Sequence, residues 1–486
     1  MLNRRHLLSA LGSSVLAACA APRLLPNVNA REPWRIGWQT IQESDRITRD
    51  IKVDGKIPAA LYGSFYRNGP GRMERNGQMV SHWFMGDGLV QRWHIDQNGI
   101  NHRARFVDTY KYRGETRLNK NALNTPELPT RSNDDFNTAN TSVLPLNGRL
   151  LALWEGGSAH ELDPETLQTR GVKTWRDDLQ FAPFSAHPLP ERDGSFWNFG
   201  LLPYIDDGLL LLYRISANGE LMQHAKISTH YTGMAHAFVQ TEKYLIVPLF
   251  PILWDEQNNV TWFDKASWQP QHGSRVLIID KNTLSLVKTV EMQAGMVFHY
   301  GSAIDTDTGV QLFGCWYDDA EFMFLNLPQT ISNNFDAVKN ARLTRIDIPL
   351  NGEAVTMHHS ATNAEFPVIE SRALNDAHHI QFCISDRPTA VWKNNNGLAR
   401  IDWKNGKIER YNFGDYVFCE EHLFIADPQR ARAGAGWLMG TTLDCLSGIT
   451  SLNVFDSEHL NAGPIARAHL PHSMPLGFHG AFQASA

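Results

Sequence analysis

The chain has 486 residues, 42% hydrophobic and 20% charged, enough apolar material for a large core and for two or three domains unless the fold is one large all-β unit. Its formal net charge of −6, with no basic cluster beyond the extreme N-terminus, argues against a nucleic-acid partner. Plentiful Gly (36), Pro (24) and aromatic residues (10%), together with recurrent turn dipeptides, favour many short strands over long helices.

Residues 1–20 read as an export signal: Arg4-Arg5, an apolar run over 7–18, then small residues. The run is too short to span a bilayer. The paired arginines suit the twin-arginine route, with the general secretory route as the alternative. Leu16-Ala17-Ala18-Cys19 resembles a lipoprotein cleavage box that would lipidate Cys19, and ordinary cleavage nearby competes with it. The expectation is an exported protein, periplasmic or lipid-anchored with peripheral membrane association, or a cytoplasmic one if the segment is not a working signal. Cys315, Cys383, Cys419 and Cys445 form no C-x-x-C pair, so a thiolate metal site is not expected.

Residues 21–45 are rich in Pro, Arg and Asn without periodicity and read as a linker or strap; 46–486 reads as one domain, with regular structure expected from about Gly55. From there an aliphatic-turn-aliphatic pattern recurs, the mark of a tight hairpin. It appears at Ile95-Asp96-Gln97-Asn98-Gly99-Ile100, Leu162-Asp163-Pro164-Glu165-Thr166-Leu167 and Ile215-Ser216-Ala217-Asn218-Gly219-Glu220-Leu221. It returns at Ile279-Asp280-Lys281-Asn282-Thr283-Leu284 and over 401–408. The intervals are 67, 53, 64 and 122, the last about two periods. A unit of roughly sixty residues fits a propeller blade with insertions, and the chain after the linker holds about seven. Two β-sandwiches are the competing architecture, but they have no reason to repeat one hairpin at this interval. The apolar runs 150–154, 209–213, 244–250, 276–279 and 311–317 read as strands. Helices are expected only in insertions such as 327–338.

Among twenty histidines, those in turn-like apolar settings are His187 in Phe184-Ser185-Ala186-His187-Pro188, His236 in Gly233-Met234-Ala235-His236-Ala237-Phe238, His299 in Val297-Phe298-His299-Tyr300-Gly301, and His479 between Phe478 and Gly480. Gaps of 49, 63 and 180 are about one, one and three blade periods, which places them at equivalent inner positions of four blades. The plainer reading of each is a satisfied loop histidine. Four neutral imidazoles suit a borderline divalent ion such as Fe(II), Zn or Cu, and each needs an acceptor for its other ring N–H. Glu155, Glu365 and Glu421, acidic residues in apolar surroundings, are the candidates, against the reading of each as a surface glutamate.

These contexts, with Gly63-Ser64-Phe65-Tyr66-Arg67-Asn68-Gly69-Pro70, His82-Trp83-Phe84-Met85-Gly86-Asp87-Gly88, Phe136-Asn137-Thr138-Ala139-Asn140-Thr141 and Gly463-Pro464-Ile465-Ala466-Arg467, resemble the carotenoid cleavage oxygenase family from about Gly55 to Phe482. The resemblance implies an all-β, seven-bladed β-propeller with loop and helical insertions capping an axial Fe(II). It also implies iron ligands His187, His236, His299 and His479, glutamates Glu155, Glu365 and Glu421 behind the imidazoles, and O2-dependent cleavage of a conjugated C=C bond in a hydrophobic polyene to two carbonyl products. Trp154 and Phe298, each next to a site residue, are candidate tunnel walls, with core packing as the alternative. Two positions depart from the family: Met85 stands where Asp is usual, and Trp154 stands where stilbene-cleaving members tend to have Lys. The second departure favours a carotenoid or apocarotenoid over a stilbene. An isomerohydrolase of the same fold and a metal-free binding propeller are the remaining alternatives.

Overall fold

The repeated turn segments fold as hairpins, with Ile95 paired to Ile100 across Asp96 and Gly99, and Ile401 paired to Ile408. The computed structural model describes residues 32–254, 266–326, 341–369, 379–385, 396–430, 432 and 434–485. The expected signal at 1–20 and the expected helical insertion at 327–338 lie outside the described residues. Among the described residues seven antiparallel sheets of four to six strands are the blades of a β-propeller, and two further two-stranded sheets, Ile252–Trp254 with Ala266–Trp268 and Glu74–Arg75 with Gln78–Met79, lie outside them. Blade 2 spans 142–172, blade 3 189–228, blade 4 239–292, blade 5 296–363 and blade 6 365–412. In each of these the first strand in sequence lies at one edge and the fourth at the other.

Blades 1 and 7 are built from both ends of the chain. Blade 1 runs from Gly480–Ala484 through Gly63–Arg67, Asp87–Asp96 and Gly99–Phe106 to Asp45–Thr48. Blade 7 takes four strands from 417–469 and adds Lys52–Gly55 beside Ala466–His469. Two separate pairings, Phe65 with Phe482 and Val53 with Ala468, therefore close the ring. Closure leaves no long inner edge for another chain to extend.

Strand alternation explains why the central strands read as unbroken apolar runs. In Tyr244–Leu249 of blade 4, Leu245, Val247 and Leu249 pack toward Leu210 and Leu212 of blade 3. Ile246 packs the other way, into the cluster holding Val297, Leu312 and Ile346 of blade 5. Each side chain so buried is worth about 1.5–3 kcal/mol, and each sheet needs a neighbour on both faces to collect it.

Regular structure starts earlier than the expected Gly55. Pro33–Trp38 is a 3-10 helix, and Trp38 is buried edge-on against Trp83 and Phe418, each at 5.5 Å. The aromatic residues of this Pro- and Arg-rich stretch give it something to bury, and so short a turn carries no periodicity in its sequence. Cys315, Cys383, Cys419 and Cys445 are buried free thiols. No helix among the described residues is long and apolar enough to cross a membrane.

Candidate metal centre

The four histidines converge. His187 and His236 lie in the turns just before the first strands of blades 3 and 4, His299 lies within the first strand of blade 5, and His479 immediately precedes Gly480–Ala484 in blade 1. One nitrogen from each lies within 4.8 Å of all the others. The remaining three blades supply carboxylates: Glu155 follows the second strand of blade 2, Glu365 begins blade 6, and Glu421 lies in the first strand of blade 7.

An ionised carboxylate can only accept, so each paired imidazole donates from Nδ1. His236 Nδ1–H donates to Glu155 Oε2, His299 Nδ1–H to Glu365 Oε2 at 2.6 Å, and His479 Nδ1–H to Glu421 Oε1 at 2.9 Å. Those bonds leave lone pairs on the three Nε2 atoms. His299 Nε2 and His479 Nε2 are nonetheless only 3.1 Å apart, and His187 Nε2 is 2.9 Å from His236 Nε2. On His299 and His479, whose Nδ1 protons are both taken by carboxylates, the two lone pairs face each other and repel unless a cation lies between them. Metal–nitrogen bonds of about 2.1 Å at a right angle would place adjacent nitrogens about 3.0 Å apart, so the donor set fits one divalent ion.

Charge balance agrees. Arg67, fully buried, donates Nη1–H to Glu421 Oε2 at 3.3 Å and to the Phe478 carbonyl at 2.8 Å. The three carboxylates that hold the imidazoles and one guanidinium leave a formal charge of −2 around the ligands, which favours a divalent cation. Burial would raise the Glu421 pKa, but His479, Arg67 and the Gly480 N–H outweigh it and hold Glu421 below the usual carboxylate range. Burial takes His299 down to about 4 against the pull of Glu365, and burial with three neighbouring imidazoles holds His187 well below its ordinary value. Neutral rings are what a metal requires. Among the described residues no carboxylate touches His187, whose backbone N–H donates to Ser185 Oγ at 3.1 Å.

His479 is held by the turn that carries it. Its carbonyl accepts from Asn68 N–H at 2.9 Å, its N–H donates to the Thr141 carbonyl, and Phe478 N–H donates to Asn68 O at 2.7 Å. A Cβ on Gly69 would lie 2.3 Å from Gly477 Cα, so glycine permits the approach of these two backbones.

His236, His299 and His479 line a cavity walled by aromatic residues, including Trp83, Phe84, Phe366 and Phe478 and both expected walls, Trp154 and Phe298. Phe298 lies 4.2 Å from the His236 ring and Phe366 stacks on His299 at 4.7 Å. No Lys or Arg lines the cavity among the described residues. Sequence reasoning missed Tyr317, whose hydroxyl donates to Glu365 Oε1 at 2.8 Å, as well as Arg67 and Phe366. Arg67 and Phe366 sit inside or beside motifs already singled out; Tyr317 had no such signal.

Comparison with known proteins places this geometry. A family model described as retinal pigment epithelial membrane protein matches residues 38–484. An isoeugenol monooxygenase of Pseudomonas putida is 26% identical over 457 residues, covering 90% of this chain and 94% of that protein. An apocarotenoid-15,15'-oxygenase of Synechocystis is 25% identical over 505 residues, covering 95% and 98%. The crystal structure of cobalt-substituted Synechocystis ACO superposes with a TM-score of 0.82 at 24% identity, covering 93% of this chain and 99% of that one.

Proposed function

The chain belongs to the retinal pigment epithelial membrane protein family, and from that premise we propose that it is a non-haem Fe(II) dioxygenase that cleaves a conjugated C=C bond of a carotenoid or apocarotenoid. The observation that carries the reading is a cluster of four imidazole nitrogens, three of whose rings, His236, His299 and His479, line an aromatic cavity in which no Lys or Arg among the described residues could anchor a phenolate. A long polyene offers only π-faces and C–H edges, which such walls bind by dispersion and stacking. With Trp154 lining the cavity beside Glu155, the phenolic substrate named for the Pseudomonas relative is the weaker candidate here.

Bound iron would supply the activation of O2. The protein's own contribution is placement. Glu155, Glu365 and Glu421 fix the tautomer and orientation of three ligands, and Tyr317 keeps its proton, because burial and Glu365 drive its phenol well above the ordinary value, and serves as a donor that pins Glu365. The walls of Phe298, Phe366 and Phe478 exclude water from the reacting double bond. The export signal and the Cys19 box add the proposal that the protein works outside the cytoplasm, as one unit over 46–486, where apolar substrates partition into membranes.

The test is metal analysis together with turnover. About one iron per chain is expected, lost in His299→Ala, and an apocarotenal should be converted to shorter aldehydes with uptake of O2. An iron-free protein with full activity, or product formed without O2 uptake, would overturn the reading; the latter outcome marks an isomerase.

A further inference from the structure

We propose that Glu420 is a specificity determinant, accepting a hydrogen bond from a hydroxyl group carried at one end of an otherwise apolar conjugated substrate; the inference rests on the oxygenase reading above. In a regular strand Glu420 and Glu421 would point to opposite faces. Here Cys419 pairs with Thr442 and His422 with Gly440, so the strand carries one extra residue at this point. The bulge breaks the alternation and lets both glutamates line the cavity.

The two carboxylates are used differently. Glu421 is saturated by His479, Arg67 and Gly480. Glu420, only 7% exposed, accepts the Gly477 N–H on Oε1 at 2.5 Å, and its Oε2 has no protein donor among the described residues. Of the four carboxylates in the cavity lining it alone holds no imidazole. Glu420 shares the cavity lining with Trp38, Phe418 and Leu476, and a carboxylate so little exposed is costly unless something donates to it. A phenolate would be repelled, whereas a neutral hydroxyl supplies a donor without adding charge. A ring alcohol on a polyene and a neutral phenol share that chemistry.

The experiment compares matched substrates that differ only by the hydroxyl: a ring-hydroxylated apocarotenal against its deoxy counterpart, and 4-hydroxystilbene against stilbene. The unaltered holoenzyme should prefer the hydroxylated member of one pair, and that pair identifies the source. In Glu420→Gln, which keeps an acceptor for Gly477 N–H, and in Glu420→Ala, the ratio of kcat/KM within that pair should fall about tenfold, the range of a hydrogen bond to a charged group. If Glu420 only tethers the Gly477 turn, both members change together and the ratio stays put, which overturns the proposal. So does an unaltered enzyme indifferent to the hydroxyl in both pairs. If neither pair is cleaved at all, the oxygenase reading fails, and quenching of tryptophan fluorescence by the same compounds decides separately whether the hydroxyl preference in affinity exists and disappears in Glu420→Gln.

Discussion

Among the described residues two buried ionic clusters differ in that one is balanced by the chain's own charges and the other is not. In the first, Arg75 and Lys111 face Asp87 and Glu115, all at most 3% exposed by side chain, with Lys111 Nζ 2.9 Å from both carboxylates. Two positive and two negative charges cancel, and the Ala122 and Leu123 N–H groups satisfy the remaining Glu115 oxygen. In the second, at the axis, Glu155, Glu365 and Glu421 face neutral imidazoles and one guanidinium, two charges short of balance. Both clusters are carboxylate-rich and largely buried. The difference lies in whether the partners are covalently part of the chain, and that separates a structural cluster from a binding site.

Breaking the closed cluster should give the largest effect. Lys111→Met leaves Asp87 and Glu115 with Arg75 alone, and an uncompensated buried charge costs about 3–5 kcal/mol. Urea denaturation should show that loss while iron per folded chain stays the same. A loss below about 1 kcal/mol would mean that the cluster is less tightly balanced than its geometry indicates.

How far each cluster was legible in the sequence follows from how local its signals are. The axial histidines stood out because each has apolar neighbours and they recur at multiples of the blade length, His479 three blades after His299, although His299 proves to lie within a strand rather than in the turn its sequence suggests. The hairpins that set this rhythm join the third and fourth strands of blades 1, 2, 3, 4 and 6. Blade 5 turns instead through 350–355 with its Gly352 at φ +98, and blade 7 through 457–465 with a 3-10 helix, so the period skipped both. Contacts between blades were invisible: Tyr317 of blade 5 reaches Glu365 of blade 6, and Arg67 of blade 1 reaches Glu421 of blade 7. So was the bulge at Glu420, since nothing in Cys419-Glu420-Glu421-His422 announces an extra residue. The closed cluster draws on a hairpin, a strand and a helix far apart in sequence, and no motif linked them.

The open cluster should respond in the opposite manner to the closed one. Losing a glutamate there should cost metal affinity more than fold stability, because the apo protein already carries excess negative charge. Glu421→Gln and Glu155→Gln should each weaken iron binding about 10–100-fold, or about 1.4–2.7 kcal/mol. Glu421 should lie at the upper end, because its carboxylate also anchors Arg67 and Gly480, whereas Glu155 holds only His236. Chelator competition measures the affinity, and urea midpoints of the chelated proteins measure the fold. A large loss of apo stability in Glu155→Gln would contradict the distinction between the two clusters.

A further effect isolates burial from pairing. His102 is 1% exposed beside Trp93, with Gln91 Oε1 accepting from Nε2 at 3.2 Å and no carboxylate paired with it among the described residues. Burial, helped by His472 and Arg46, takes its pKa down to about 3, whereas His299, which has Glu365, stops at about 4. The folded ring stays neutral while the unfolded ring binds a proton below about 6.5, so the stability from His102 is complete above that pH and is lost as pH falls toward 3. The slope is about 1.4 kcal/mol per pH unit for one group. Urea midpoints at pH 7, 6 and 5 should therefore converge between the unaltered protein and His102→Gln as pH falls, since the variant lacks this term. Parallel lines would show that water or a counter-charge reaches His102, and that burial alone does not distinguish it from the histidines at the axis.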